Sequence, residues 1–377
     1  MTDLRITGGR VLLREGEQDC DLSLTDGRIA FTGAGGRRFD ARGLLVLPGI
    51  VDLHGDAFER QMQPRPGVGF PTDIALADTQ AQLLANGITT AYHGVTLSWE
   101  PGLRSLQAWR ALLDALSARR WVCDMRVHLR WEAFNLDALG DALADIAAGR
   151  VHLVAFNDHT PAILRKIADP VTGAKYSDRA HMSLDDFRAL AARIAAREGE
   201  VAEALSRIAR AAREAGLPMA SHDDTTIGVR DGFRELGALI CEFPVGADVG
   251  AAARAAGDFV AMGCPNVVRG GSHLGWASAA DLAESGVCSV LTSDYFYPAM
   301  PRAAFALQAR GVMNLAQAWA LISTNPARAA GLTDRGAIAE GLRADLVVIN
   351  PESTEIVATI ASGRIAHLTA AGWDRLN

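Results

Sequence analysis

The stretch "GIVDLHGDAFER", Gly49–Arg60, follows the apolar run "LLVLP" and carries that run to a histidine, His54, and a carboxylate, Asp56. A continuous apolar segment of this length suits a strand buried on both faces, the kind found in parallel sheets. Residues i and i+2 of a strand share a face. His54 and Asp56 are therefore expected to point the same way, at the end of a buried strand, where both could reach one metal ion.

Downstream, helix-like and strand-like patterns alternate. "DIALADTQAQLLANGITTAYHGVTL" reads as an amphipathic helix stopped at Asn86-Gly87, then a β-branched strand. The unit recurs through "LRSLQAWRALLDALSARRWVCDMRVHLRWEAF", "LDALGDALADIAAGRVHLVAFNDHT", "VAEALSRIARAAREAGLPMASHDD" and the segments up to "VCSVLTSDYF". Counting the first strand, eight strand candidates are separated by helical pattern, as a closed parallel (β/α)8 TIM-like barrel requires. Both ends differ: "LRITGGRVLLREGEQDCDLSLTDGRIAFTGAG" and "RGAIAEGLRADLVVINPESTEIVATIASGRIAHLTAAG" read as short strands and turns. Residues 1–48 and 335–377 are expected to form one small β-sandwich domain, and 49–334 the barrel. The polar stretch "LRKIADPVTGAKYSDRAHMSLDDF" reads as an irregular insert lying over one barrel end as a loop or lid.

The chain has 377 residues, with 37 basic against 44 acidic side chains and 49 % apolar content. A net charge of −7 without long charge runs argues against non-specific binding to nucleic acid or to a membrane surface, both of which need a basic face. It leaves room for a small anionic substrate met by a few arginines. No signal-like N-terminus and no bilayer-length apolar run is present, so a soluble cytoplasmic protein, possible as a homo-oligomer, is expected. Five scattered cysteines without a CxxC argue against a disulfide framework or a thiolate metal site.

Polar residues collect at the ends of the proposed strands: His54 and Asp56, Glu132 in "HLRWE", Asp158 and His159 in "FNDH", His222 in "SHDD", His273 in "RGGSH", and Asp294 in "LTSD". In a (β/α)8 barrel the carboxyl ends of the strands carry the active site. Imidazole and carboxylate ligands in one cluster suit Zn²⁺, Mn²⁺, Fe²⁺ or Ni²⁺, as one ion or two. Only two lysines occur, Lys166 and Lys175, both in the polar insert. A carboxylated lysine bridging two metals is thereby nearly excluded, and Glu132 is its natural substitute. Asp294 also fits a helix N-cap, and Glu132 a surface carboxylate. His273 follows two glycines and suits close approach to a ligand. Asp158 and Asp223 are candidates to orient His159 and His222. His93, His128 and His152 lie inside strand-like runs and read as core or supporting residues.

"LPGIVDLHGD", "GITT" and "ISTNPARAAGLTDRGAIAEGLRADLVVI" resemble the amidohydrolase superfamily. "HGDAFERQMQPRPGVGFP", "HLRWE", "DHTP", "GAKYS", "SHDD", "EFP", "CPNVVRGGSHLG" and "SDYFYP" resemble, within it, the triphosphate diphosphatases of the carbon–phosphorus lyase pathway of phosphonate catabolism. Members of that branch keep His-x-Asp rather than His-x-His at the first strand, which fits His54 and Asp56. The glutamate of "HLRWE" is also similar to the third-strand ligand of N-acetylglucosamine-6-phosphate deacetylases. Ala57 and Phe58 stand where an Asn-Leu type pair is expected, a departure that bears on the exact substrate. The resemblance implies release of pyrophosphate from α-D-ribose 1-methylphosphonate 5-triphosphate, leaving the 5-phosphate. His54 and Asp56 would hold one metal, His159 and His222 another, with Glu132 bridging or binding one of them. Asp294 would bind metal and take the proton of the attacking water. Arg65, Arg130, Arg269, Lys175, Tyr176 and His273 are candidates for the anionic substrate, arginine's planar fork being suited to phosphate oxygens. An amide or cyclic-amide hydrolase of the same superfamily and a non-catalytic ligand-binding relative are the competing expectations.

Overall fold

A computed structural model describes residues 3–33, 36–65, 67–180, 182–271 and 275–377. The N-terminal strands are β1 (Leu4–Leu13), β2 (Gly16–Thr25), β3 (Arg28–Ala30), β4 (Arg37–Asp40) and β5 (Leu45–Pro48). Eight parallel strands follow: β6 (Ile50–Gly55), β7 (Ile88–Leu97), β8 (Asp124–Glu132), β9 (Leu153–Asn157), β10 (Met219–His222), β11 (Ile240–Glu242), β12 (Phe259–Gly263) and β13 (Val290–Thr292). The chain ends with β14 (Leu346–Ile349), β15 (Ile356–Ala361) and β16 (Arg364–Leu368).

β6 to β13 pair strictly in sequence order. The ring closes where Asp294 N donates to His54 O at 2.9 Å and Asp56 N donates to Asp294 O at 2.9 Å. Asp52 fastens the same seam: its buried carboxylate accepts from the Ser293 amide at 3.0 Å and from the Ser293 hydroxyl. Inside, Leu53, Leu153, Ala155, Ala220, Ile240, Ala261 and Val290 form an apolar plug. The barrel is thus a filled core, with chemistry possible only at its rims.

The helices between strands start and stop where their sequences dictate. Ser105 caps Leu106–Ser117 by accepting from Ala108 N at 3.2 Å. Thr72–Ala85 ends at Asn86-Gly87, with Gly87 in the left-handed region at φ 77° that a side chain would strain. The strands of the two chain ends make one mostly antiparallel sheet, in which β14 lies between β5 and β15. That sheet encloses its own core, which includes Ile6, Leu22, Phe39, Val46, Val348 and Ile360.

The polar insert is not the irregular loop expected from its composition. Residues Thr160–Ala168, Pro170–Ala180 and Leu184–Ala195 are helices around a small core of Ile163, Ile167, Ala180, Phe187 and Ala191. Five apolar residues in a helical arrangement suffice to bury one face of each helix, a pattern that the surrounding charges disguise. No helix among the described residues is long and apolar enough to cross a membrane.

Candidate active site

The carboxyl ends of the barrel strands open into a cavity. His54, Asp56, Arg130, His222, Asp223, Arg269 and Asp294 all line it. A local irregularity in β6 aims His54: the register with β7 shifts between Asp52 and Gly55. A regular strand would send Leu53 and His54 to opposite faces. The shift lets Leu53 join the apolar plug while His54 meets His128, His222 and Phe243, with ring centroids 5.0, 5.2 and 5.0 Å away.

Three other strand ends carry backbone strain. Asp223, Phe243 and Asp294 follow β10, β11 and β13 and sit at φ 58°, 53° and 54°. Left-handed conformations in non-glycine residues cost free energy that the surrounding fold must offset. Here they break strand alternation at the rim, so that Glu242 and Phe243, neighbours in sequence, both contact His54.

The imidazoles and carboxylates fall into two groups, each with ligand atoms within 4.8 Å of one another: His54, His128 and Glu242, and His159, His222 and Asp223. In the first, His54 Nδ1 lies 3.0 Å from Glu242 Oε2. In the second, Asp223 Oδ2 lies 3.4 Å from His159 Nε2 and 3.2 Å from His222 Nδ1. The His222 contact is not aligned as a hydrogen bond, and His222 Nδ1, His128 Nε2 and Glu242 Oε1 are buried without a hydrogen-bond partner among the described residues. Orphaned buried donors and acceptors are costly. The nitrogen and oxygen donors that line the cavity, those of His54, Asp56, His222 and Asp294, are of the kind that fits a divalent metal.

The charges are strongly coupled. Burial, and then the charge of Asp56, pushes the Asp294 carboxyl up to about 7, against the opposing pull of Arg130. Burial pulls His159 down, but hydrogen bonds to Asp223 and Glu132 outweigh it and carry the ring up to about 9. Burial and the Arg130 charge hold His54 near 3. Arg130 is itself buried, with Nη2 3.0 Å from His222 Nε2 and Nη1 3.9 Å from Asp56 Oδ2.

The remaining expected residues lie as follows. Glu132 sits behind His159: its carboxylate accepts from the His159 amide at 3.1 Å, the Thr160 amide at 3.2 Å and the Thr160 hydroxyl at 2.8 Å, and lies 3.3 Å from His159 Nδ1. Asp158 is exposed, and the ring nitrogens of His159 face Glu132 and Asp223 instead. Arg65 is exposed, and neither it nor Lys175 nor Tyr176 lines the cavity. Lys175 is exposed on the helix Pro170–Ala180, where Tyr176 packs 6.1 Å from Phe187. Arg269 ends the helix Cys264–Arg269 and donates to the Tyr295 hydroxyl at 3.3 Å. His273 lies outside the described residues. The sequence reading missed Glu242 and gave His128 only a supporting place. Glu242 carried the same signal as its neighbours, a carboxylate ending an apolar run in "ALICEF", but its strand is only three residues long.

A parallel eight-stranded barrel with imidazoles and carboxylates at its carboxyl rim, joined to a sheet made by both chain ends, defines a class of hydrolase folds. The chain belongs to the amidohydrolase family, whose model matches residues 45–372. Among curated proteins it is 34 % identical over 333 residues to α-D-ribose 1-methylphosphonate 5-triphosphate diphosphatase of Escherichia coli (strain K12), spanning 84 % of this chain and 86 % of that protein. Among solved structures, the β-aspartyl dipeptidase of Fervidobacterium islandicum AW-1 superposes with a TM-score of 0.64 at 16 % identity, covering 98 % of this chain and 97 % of that one. The N-acetylglucosamine-6-phosphate deacetylase of Pasteurella multocida gives 0.64 at 11 % identity, covering 96 % and 99 %. At such identities these two structures speak for the fold alone.

Proposed function

We propose that this chain is a metal-dependent hydrolase that releases pyrophosphate from α-D-ribose 1-methylphosphonate 5-triphosphate, leaving the 5-phosphate. The observation that carries this reading is the identity of 34 % over 333 residues with the Escherichia coli diphosphatase. The cavity supports it, since two cationic side chains, Arg130 and Arg269, line a wall otherwise rich in carboxylates. We also propose that residues 1–48 with 335–377 form one domain and 49–334 the other, in keeping with the two sheets.

A divalent metal, zinc being the first choice, would polarise a phosphoryl oxygen and lower the pKa of a water molecule. His54, Asp56, His159, His222 and Asp294 would hold it, as one ion or two. Glu132 acts through His159, whose amide and ring it fixes. Asp223 lies 3.4 Å from His159 Nε2 and 3.2 Å from His222 Nδ1, contacts that both nitrogens would give up, His159 together with its proton, on binding a metal. Arg130 and Arg269 pair with the triphosphate oxygens and offset the negative charge that grows as pyrophosphate departs. Asp294 receives the proton from the attacking water.

The test incubates the metal-loaded protein with this triphosphate and with nucleoside triphosphates, following products by phosphorus NMR. Wild type is expected to release pyrophosphate from the sugar triphosphate. Asp294→Asn, which keeps the shape but not the basicity, is expected to lose roughly 10²–10⁴-fold in turnover. Metal-replete protein that releases no pyrophosphate would turn the assignment toward amide or cyclic-amide substrates.

A further inference from the structure

Beneath the cavity, His54 meets His128 and Glu242, two residues that the reading above leaves without a role. None of the three is more than 1 % exposed. Glu242 Oε2 lies 3.0 Å from His54 Nδ1 and 3.7 Å from His128 Nε2, and Glu242 Oε1 has no hydrogen-bond partner among the described residues. His128 Nδ1 lies 2.9 Å from the Leu53 carbonyl oxygen.

The proton positions follow from what each partner can do. A carbonyl oxygen only accepts, so His128 carries its proton on Nδ1 and presents a bare Nε2. At 3.7 Å that nitrogen is too far from Glu242 for a hydrogen bond. When ionised, Glu242 only accepts, and His54 then donates to it from Nδ1. The lone pair of a neutral His54 is then on Nε2, the atom that a side chain at Gly94 would approach to 3.3 Å. His54 therefore has one nitrogen committed to the floor and one free for a ligand.

Two roles for the cluster are possible. A cation among all three residues would be sealed at 0–1 % exposure, with no position open for water or substrate. A catalytic metal keeps such a position. We propose that Glu242 and His128 are positioning residues. Glu242 fixes the tautomer and orientation of His54, and His128, set edge-on to the His54 ring at 88°, walls it in place. His54 then meets the metal through Nε2 on the cavity side. Carboxylates that hold a metal-binding histidine in this way raise its basicity and its affinity for the metal. The inference rests on the metal-hydrolase reading, but not on the identity of the substrate.

The test titrates metal-free protein with Zn²⁺ alone against a chromophoric chelator and measures bound zinc at saturation by elemental analysis. The variants are Glu242→Gln, which can still accept from His54 Nδ1 but lacks the charge, and Glu242→Leu, which can do neither. Expected are wild-type zinc equivalents at saturation in both, with affinity weakened about 10–100-fold in Glu242→Leu and less in Glu242→Gln. Loss of a whole zinc equivalent at saturation in Glu242→Gln would make Glu242 a ligand and overturn the proposal, and so would unchanged affinity in both variants. If Glu242→Leu does not fold, the isosteric Glu242→Gln decides by the same two readings, and His128→Gln, expected to weaken zinc binding at unchanged stoichiometry, supplies the second variant. Pyrophosphate release is assayed separately: its absence alongside the expected zinc shifts would remove the triphosphate assignment and leave this inference standing. A wild-type chain that binds no zinc would remove this inference.

Discussion

Gly94 shows how closely the rim is packed. A methyl group at this position would lie 3.3 Å from both His54 Nε2 and Arg130 Cδ. Such spacing forces one neighbour to give way, and both neighbours are buried. Gly94→Ala is expected to fold, to melt within about 1–2 kcal/mol of wild type, and to bind Zn²⁺ at least several-fold more weakly. Calorimetric titration beside a thermal melt checks both halves, and unchanged zinc affinity would show that His54 has more room than its contacts imply. At this scale the sequence was informative where chemistry and position coincided. His54, Asp56, His222 and Asp294 each end an apolar run, and all four reach the cavity. Arg65 and Lys175 are candidates by their charge, which says nothing about direction, and both are exposed outside the cavity wall.

At the scale of elements, the opposite end of the barrel is pinned by ions. Asp124 begins β8, and its carboxylate meets Arg335 at 2.6 Å, Arg126 at 3.1 Å and Arg343 at 3.8 Å. Arg335 also donates to Thr90 of β7 at 2.8 Å. Burial pushes the Asp124 carboxyl up, but the three guanidinium groups outweigh it and hold it below its usual range. A depressed folded pKa means that the group stabilises the protein above the unfolded value of about 4 and loses that contribution as pH falls through the folded value. Asp124→Asn is therefore expected to cost about 1–2 kcal/mol at pH 7, with the gap to wild type closing below about pH 4. Melts across this range check the sign, and a gap that widens on acidification would contradict it. Such pairs could not be read in the sequence, because residues 124 and 335 meet only after the ring has closed. The helical insert escaped for another reason: its few apolar residues are diluted by charge, so composition outweighed periodicity.

For the molecule as a whole, the helix-then-strand rhythm made the barrel legible, since each unit needs only local pattern. The partnership of the chain ends was legible as type but not as register. β5 pairs with β14 from the far end of the sequence, and Gly49 N donates to Asp345 O at 2.8 Å just before the barrel begins. Trp319, fully buried, donates to Pro48 O at 2.9 Å at the same junction. Deleting residues 346–377 would leave β5 as an open edge beside an uncovered apolar core. Exposed edges of that kind template aggregation. The truncated chain is expected in the insoluble fraction on expression, and a soluble, cooperatively melting product would show that the barrel stands without its companion sheet.

Glu132 ends a barrel strand and also tethers the start of the helical insert. Trp99 donates to the Thr160 hydroxyl at 2.9 Å, that hydroxyl donates to Glu132, and Glu132 holds the amide and ring of His159. The insert is therefore not an interchangeable module hung on the barrel rim. Anyone transplanting a relative's insert to change substrate range would have to carry Trp99, Glu132 and Thr160 as one unit, because the graft boundary runs through the anchorage of His159 itself.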